Sequence, residues 1–233
     1  ACWLGQRWEI VTKRLGETVE HRAVIDVDRI ASGDTDLEYG TTPKPAEAHY
    51  TTITISDLHK KIQGRTNTKI KDFLTSMYRV DLRDGVLRMW YQGEELIWHE
   101  ETSFLTKTDG TPYRAPFSFT VNGKDVRGWV GILGEGRSGR PNAGFSILRR
   151  GRVVRGHPQA WRPEAIFGYE GRNDLINQRI VGEIHLDEFG VSHTKDDIQW
   201  EEDEEEQVEK KLKEHCADYI AIARSFRKGA SDA

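Results

Sequence analysis

Val-Ser-His-Thr-Lys-Asp-Asp-Ile-Gln-Trp, residues Val191–Trp200, lies between a strand-like run, Ile180–Asp187, and a helix that opens on acidic residues. Its one lysine, Lys195, is offered on a short polar loop, flanked by hydroxyls and followed by two carboxylates. That setting suits a phosphate contact held in place by its neighbours. A Lys-Asp-Asp triplet taken alone reads first as a solvated surface loop. His193 reads as a hydrogen-bonding partner that shapes the loop, and Asp196 and Asp197 as caps or orienting groups for Lys195.

Working outward, the run after Trp200 predicts a helix. Val208, Leu212, Cys216, Tyr219, Ile220, Ala223 and Phe226 recur at three- and four-residue spacing, and Glu206–Lys210 and Glu209–Lys213 are i,i+4 pairs. The acidic run Glu201–Glu206 reads as a solvated first turn favoured by the helix dipole.

Upstream, the hydrophobic period falls to two. Tyr113–Val121 and Lys124–Leu133 flank Asn122-Gly123, a strong hairpin signal, and Val86–Tyr91 and Glu95–Trp98 flank Gln92-Gly93. Ala143–Arg149 predicts a strand turning at Arg150-Gly151, Arg162-Pro163-Glu164 opens a short helix, and Leu175–Val181 leads into the Ile180–Asp187 strand. Earlier still, Gln6–Lys13 and Glu17–Asp26 alternate as strands around Leu15-Gly16-Glu17, and Tyr50–Ser56 is a β-branched run. Ala31–Ala48, rich in Gly, Asp, Thr and Pro, predicts a long loop. Leu58–Ile62 predicts a short helix capped by Ser56 or Asp57, and Thr66–Tyr78 a longer one with Ile70, Phe73, Leu74 and Met77 on one face.

Composition narrows the classes. With 233 residues, 36% hydrophobic and 31% charged, the chain is a globular sequence of one large or two small domains. Its net charge of −4 argues against a general nucleic-acid coat protein. The cysteines, Cys2 and Cys216, are too few for a disulfide framework, and His49, His99 and His185 have no companions at ligand spacing, so no metal site is proposed. No apolar run approaches the roughly 20 residues that span a bilayer and no signal peptide is visible, which makes a cytoplasmic location the expectation. The opening Ala1-Cys2-Trp3-Leu4-Gly5 is apolar and has no initiator methionine, which predicts a chain cut inside a domain.

The pattern Lys195-x-acidic-aliphatic-x-aromatic, preceded by His193 and Thr194, resembles the transducer loop of the GHKL ATPases, the gyrase, heat-shock-chaperone, histidine-kinase and MutL superfamily. Its MutL and MORC branches look most similar. Other segments resemble the same families in the same order: Cys2–Trp8 the residues after the glycine-rich lid, Tyr50–Ile55 a Gly-Thr-Thr-Val strand, Phe73–Arg79 the linker, and Ala143–Val154 with its Arg150 turn a transducer strand pair. The resemblance implies an α+β fold in three parts. Residues 1–56 would be the trailing strands of a Bergerat-type ATP-binding sheet, 57–200 a transducer with helices on one face of a sheet, and 201–233 an acidic amphipathic helix. It implies ATP and Mg2+ as cofactors, homodimerisation of the full-length protein, and a γ-phosphate contact from Lys195. Thr51 would occupy the adenine-holding position, although Tyr50 stands where the family has glycine. The helix carrying the metal-binding asparagine and general-base glutamate, the adenine-reading aspartate and the lid are absent from this sequence. The chain alone is therefore expected not to hydrolyse ATP.

A nucleic-acid-binding module is the alternative. Residues 137–172 carry eight arginines against Glu164 and Glu170, and Arg137, Arg140, Arg150 and Arg152 are the candidate contacts to a DNA backbone. Exposed arginines paired with carboxylates would look the same. A client-handling chaperone module would require a large exposed apolar patch.

Overall fold

The structure, a computed structural model, describes residues 4–99, 103–156, 159–194 and 197–225. The chain forms two compact units, Ala1–Asn67 and Thr68–Ala233.

In the first unit, strands β1 (Gly5–Lys13) and β2 (Val19–Asp26), the helical turn α1 (Val27–Ala31), and strands β3 (Glu38–Pro43) and β4 (Tyr50–Leu58) follow one another. The strands form an antiparallel sheet in the order β3-β2-β1-β4. Register sorts the side chains. Trp8 faces Ile25 and Ile55, and Ile10 faces Ala23 and Ile53, so these apolar residues share one side. Arg7 pairs with Asp26 at 3.8 Å and Arg22 with Glu9 on the other side. Two expectations fail here. The predicted loop Ala31–Ala48 contains β3, which exists because β2 supplies an edge for Glu38–Pro43 to pair with. The predicted helix Leu58–Ile62 does not form: β4 runs on through Leu58, which pairs with Gly5. Tertiary pairing overrides the weak helical preference.

In the second unit, helix α2 (Arg65–Met77, entering from the first unit) and the short α3 (Arg79–Arg83) precede a small hairpin, β5 (Met89–Tyr91) and β6 (Glu94–Leu96). Strands β7 (Arg114–Val121) and β8 (Lys124–Ile132), a 3₁₀ turn (Arg140–Asn142), and strands β9 (Gly144–Arg149) and β10 (Arg152–Arg155) come next. Helices α4 (Glu164–Phe167) and α5 (Leu175–Arg179) lead to β11 (Ile180–His185), then β12 (Gly190–Val191), β13 (Ile198–Gln199), α6 (Glu204–His215) and α7 (Ala217–Ser225). The main sheet has the order β10-β9-β11-β8-β7. Strand β11 is inserted between β8, to which it is antiparallel, and β9, to which it is parallel. The architecture is α+β, as expected.

The sheet buries one face. Phe117, Val121, Val126, Val130, Ile132, Phe145, Ile147, Ile180 and Ile184 pack with Ile166, Phe167, Ile176, Val208, Leu212, Ile220 and Ala223 of helices α4 to α7. Strand β11 alternates strictly between buried and half-buried residues, as one covered apolar face requires. The apolar stripe read as one helix is divided into α6 and α7 at Cys216. The ladder nevertheless continues, since Cys216 N–H bonds Leu212 O and Ile220 N–H bonds Cys216 O, both at 2.9 Å. Burial pushes the Cys216 thiol up to about 12, so it is a packing residue. Phe226 lies outside the described residues. The acidic run departs from its reading at one position: Glu204 is buried and accepts from Lys124 Nζ at 2.6 Å. Glu204 and then Glu201 hold the Lys124 ammonium above its ordinary value. Among the described residues no helix is long and apolar enough to cross a membrane.

Both predicted tight turns have positive φ at their central residues, 53° and 81° at Gln92-Gly93 and 49° and 78° at Asn122-Gly123. The Arg150-Gly151 turn does the same, at 50° and 80°, but arginine has no preference for that region. Arg150→Asn keeps the backbone N–H and should stabilise the chain by about 0.5 kcal/mol or more. A rise in the urea midpoint at unchanged slope would report this, and a fall would mean that the arginine side chain outweighs the strain.

Candidate functional site

Several contacts fix the chain as it leaves β11. Asp187 Oδ1 accepts from Arg150 N–H at 2.5 Å, and Oδ2 accepts from Arg127 Nη2 at 2.9 Å. Arg149 Nε donates to Phe189 O at 2.9 Å. The Phe189 ring is fully buried and meets Trp200 edge-on at 5.7 Å, while Trp200 lies 6.2 Å from Trp161. Between Phe189 and Trp200 the backbone folds into a hairpin in which Gly190 pairs with Gln199 and Val191 with Ile198. Ser192 N–H closes it on Asp197 O at 3.0 Å, Ser192 Oγ lies 3.3 Å from Thr194 Oγ1, and Asp197 is 3.7 Å from Arg155. The described residues of the loop singled out by sequence thus belong to a hairpin whose base is clamped into the core. His193 and Thr194 are exposed there. Lys195 and its neighbour Asp196 lie outside the described residues.

The two motifs that carry the resemblance meet physically. Asp187 ties the Arg150 turn to the start of the hairpin, and Arg149 and Arg155, on β9 and β10, hold its two sides. Sequence reading treated these arginines as a surface cluster and missed the clamp. The available signal was Asp187, the first of two carboxylates at the exit of an apolar strand.

The other candidates are dispersed. Thr51 is exposed on β4, with its Oγ1 2.8 Å from Thr12 Oγ1 across the pair with β1. It belongs to the first unit, and the described residues on either side of Lys195 to the second. Arg137 and Arg140 precede β9, and the Arg140 guanidinium donates to Arg172 O. Arg150 and Arg152 sit beyond the other end of that strand, roughly 17 Å away at 3.3–3.4 Å per residue. Arg152 lies over the Tyr78 ring at 5.6 Å. The four arginines form two groups at opposite ends of β9, and a backbone track would have to run the length of the strand.

A second polar cluster escaped sequence reading. On the sheet face opposite the core, Glu183 Oε2 accepts from Trp129 Nε1 at 3.1 Å, and Glu183 Oε1 lies 2.8 Å from Arg79 Nε. The Nε–H does not point at that oxygen, and Arg79 Nε and Nη2 both lack a hydrogen-bond acceptor. Burial lowers the Arg79 guanidinium from its ordinary value, opposed by Glu183. The sequence signal was a single glutamate among apolar residues of β11, too weak to name a partner 104 positions away.

No family model and no curated protein matches the chain. Among solved structures it is similar to the B-subunit of the DNA gyrase from Myxococcus xanthus, with a TM-score of 0.44 and 13% identity over 95% of this chain and 68% of that one. It is also similar to the 43K ATPase domain of Thermus thermophilus gyrase B in complex with an aminocoumarin, with a TM-score of 0.41 and 10% identity over 96% and 67% of the two chains.

Proposed function

We propose that this chain is the sensing part of a GHKL-type, ATP-dependent conformational switch, in which Lys195 reads the γ-phosphate of ATP. One observation supports this best. The described residues of the Val191–Trp200 motif belong to a hairpin that is mounted on the sheet through Asp187, Arg149 and Arg155. A phosphate drawing that hairpin would pull on the sheet through these contacts, the kind of ligand-biased two-state element that nucleotide switches use. The hydroxyls of Ser192 and Thr194 flank the lysine and suit an anion.

Residues 1–56 are read as strands of the ATP-binding sheet, with Thr51 towards the adenine side, 57–200 as the transducer, and 201–233 as the closing helix. The compact units divide after Asn67. Homodimerisation in the MutL and MORC manner belongs to the same reading. Among the described residues no three His, Cys, Asp or Glu side chains converge on one point; in this reading the magnesium that accompanies ATP would be held by phosphates and by the asparagine of the helix that this sequence lacks, and no catalytic step is derived through it. Because the general-base glutamate, the metal-binding asparagine and the lid are not in this sequence, the reading gives the chain on its own no hydrolytic activity.

Amide exchange in the full natural protein tests the proposal. Saturation with a non-hydrolysable ATP analogue should slow exchange at Ser192 and Asp197, since a tethered hairpin opens less often. Identical exchange with and without the analogue would sink the sensing role.

A further inference from the structure

A cavity of about 640 Å³ lies wholly within the second unit, between α2, the β5–β6 hairpin and the sheet face opposite the core. That volume is in the range of small-molecule sites. Its floor is the Trp129–Glu183–Arg79 cluster. Ser76 and Arg79, three residues apart, present side chains that are each 3% exposed. Ser76 Oγ, Arg79 Nε and Arg79 Nη2 have no hydrogen-bond partner. A buried guanidinium edge and a buried hydroxyl left open is costly in a folded chain, and such groups are normally met by protein, water or ligand.

Three other charges on the walls are paired. Lys71 pairs with Glu94, and Glu95 accepts from Arg88 Nε at 2.9 Å. The open donors therefore define the polar end of the site. Leu96, Trp98, Pro141 and Val181 supply apolar wall, and the Trp98 ring lies 5.2 Å from the Arg79 guanidinium.

We propose that this cavity binds a small carboxylate with a flat apolar body, its oxygens accepting from Arg79 and Ser76 and its body lying against Trp98. A carboxylate can accept from Arg79 Nη2, which has no acceptor, and from Ser76 Oγ. The site does not rest on the ATP reading, and its test uses no nucleotide.

Benzoate is the probe, with inorganic phosphate for comparison, added to the full chain and followed by tryptophan fluorescence and by the thermal midpoint. Saturable benzoate binding in the millimolar range is expected, as suits a fragment of that size. Ser76→Ala removes only an unpartnered hydroxyl. It should weaken benzoate about tenfold, as a lost bond to a charged group does, while leaving the midpoint of the free chain unchanged or higher. Arg79→Met combined with Glu183→Gln, which removes both buried charges together, should abolish binding. Equal binding of phosphate would overturn the carboxylate assignment. Absence of saturable benzoate binding, or full affinity in Ser76→Ala, would overturn the site.

Discussion

Lys195→Ala is expected to lower ATP turnover by the full natural protein roughly ten- to a thousandfold, the range of one lost transition-state charge contact. In phosphoryl transfer the chemistry rests on positioning and on stabilising charge spread over the transferred group's oxygens. A lysine reaching that group from a separate element contributes most when the charge develops, so kcat should fall with little change in ATP affinity. The hairpin supports such a role. Its base is fixed by buried Phe189 and by the Asp187 and Arg149 contacts, none of which involves Lys195, so the Lys195 variant is expected to keep the thermal midpoint. Lys195→Arg keeps the charge but changes its shape and reach, and should recover part of the rate. An unchanged turnover number would take Lys195 out of the mechanism, and a loss accompanied by a lower midpoint would mark it as structural.

Gly128→Ala should have the largest effect on stability. Gly128 sits on β8 opposite Ile184 of β11. A methyl group there would collide with the carbonyl oxygen of Glu183 and stand 2.7 Å from Phe117 Cζ. The ring can turn, but the carbonyl belongs to the β8–β11 ladder and yields only if the ladder opens. Overpacking costs about 1–3 kcal/mol, and contact with fixed backbone puts this site at the upper end, which lowers the midpoint by up to roughly 6–12 °C in a chain of this size. Gly136→Ala is the control: a methyl group there meets nothing within 4 Å and should change stability by less than about 0.5 kcal/mol. Equal stability of the two variants would mean that the strands separate more easily than their register implies.

Local signals told most of the strand story. Asn122-Gly123 and Gln92-Gly93 announce hairpins because few residues accept positive φ, and both turns are present. Leu58 and the stretch around Glu38–Pro43 misled because their conformations are set by partners, Gly5 and β2, that no local pattern reveals. The candidate loop was legible because its residues are contiguous. Its mounting was not, since Asp187, Arg127, Arg149, Arg150 and Arg155 are brought together only by the pairing of β8, β9, β10 and β11. The Ser76–Arg79–Glu183–Trp129 cluster was invisible for the same reason. Ser76 and Arg79 are each unremarkable in a helical run, and only burial with hydrogen-bonding atoms left unmet distinguishes them.

The insertion of β11 between β8 and β9 also sets a schedule for synthesis. Strand β8 ends at Ile132 and β11 at His185, so 53 further residues must be made before the middle of the sheet exists. At about 5–20 residues per second that is a delay of roughly 3–10 s. During it the β7–β8 hairpin, with Trp129, Val130 and Ile132 along one strand, offers an open edge that a second nascent chain can pair with. Slow translation through 133–179 should therefore favour aggregates, and a ribosome-bound chaperone covering β8 should suppress them.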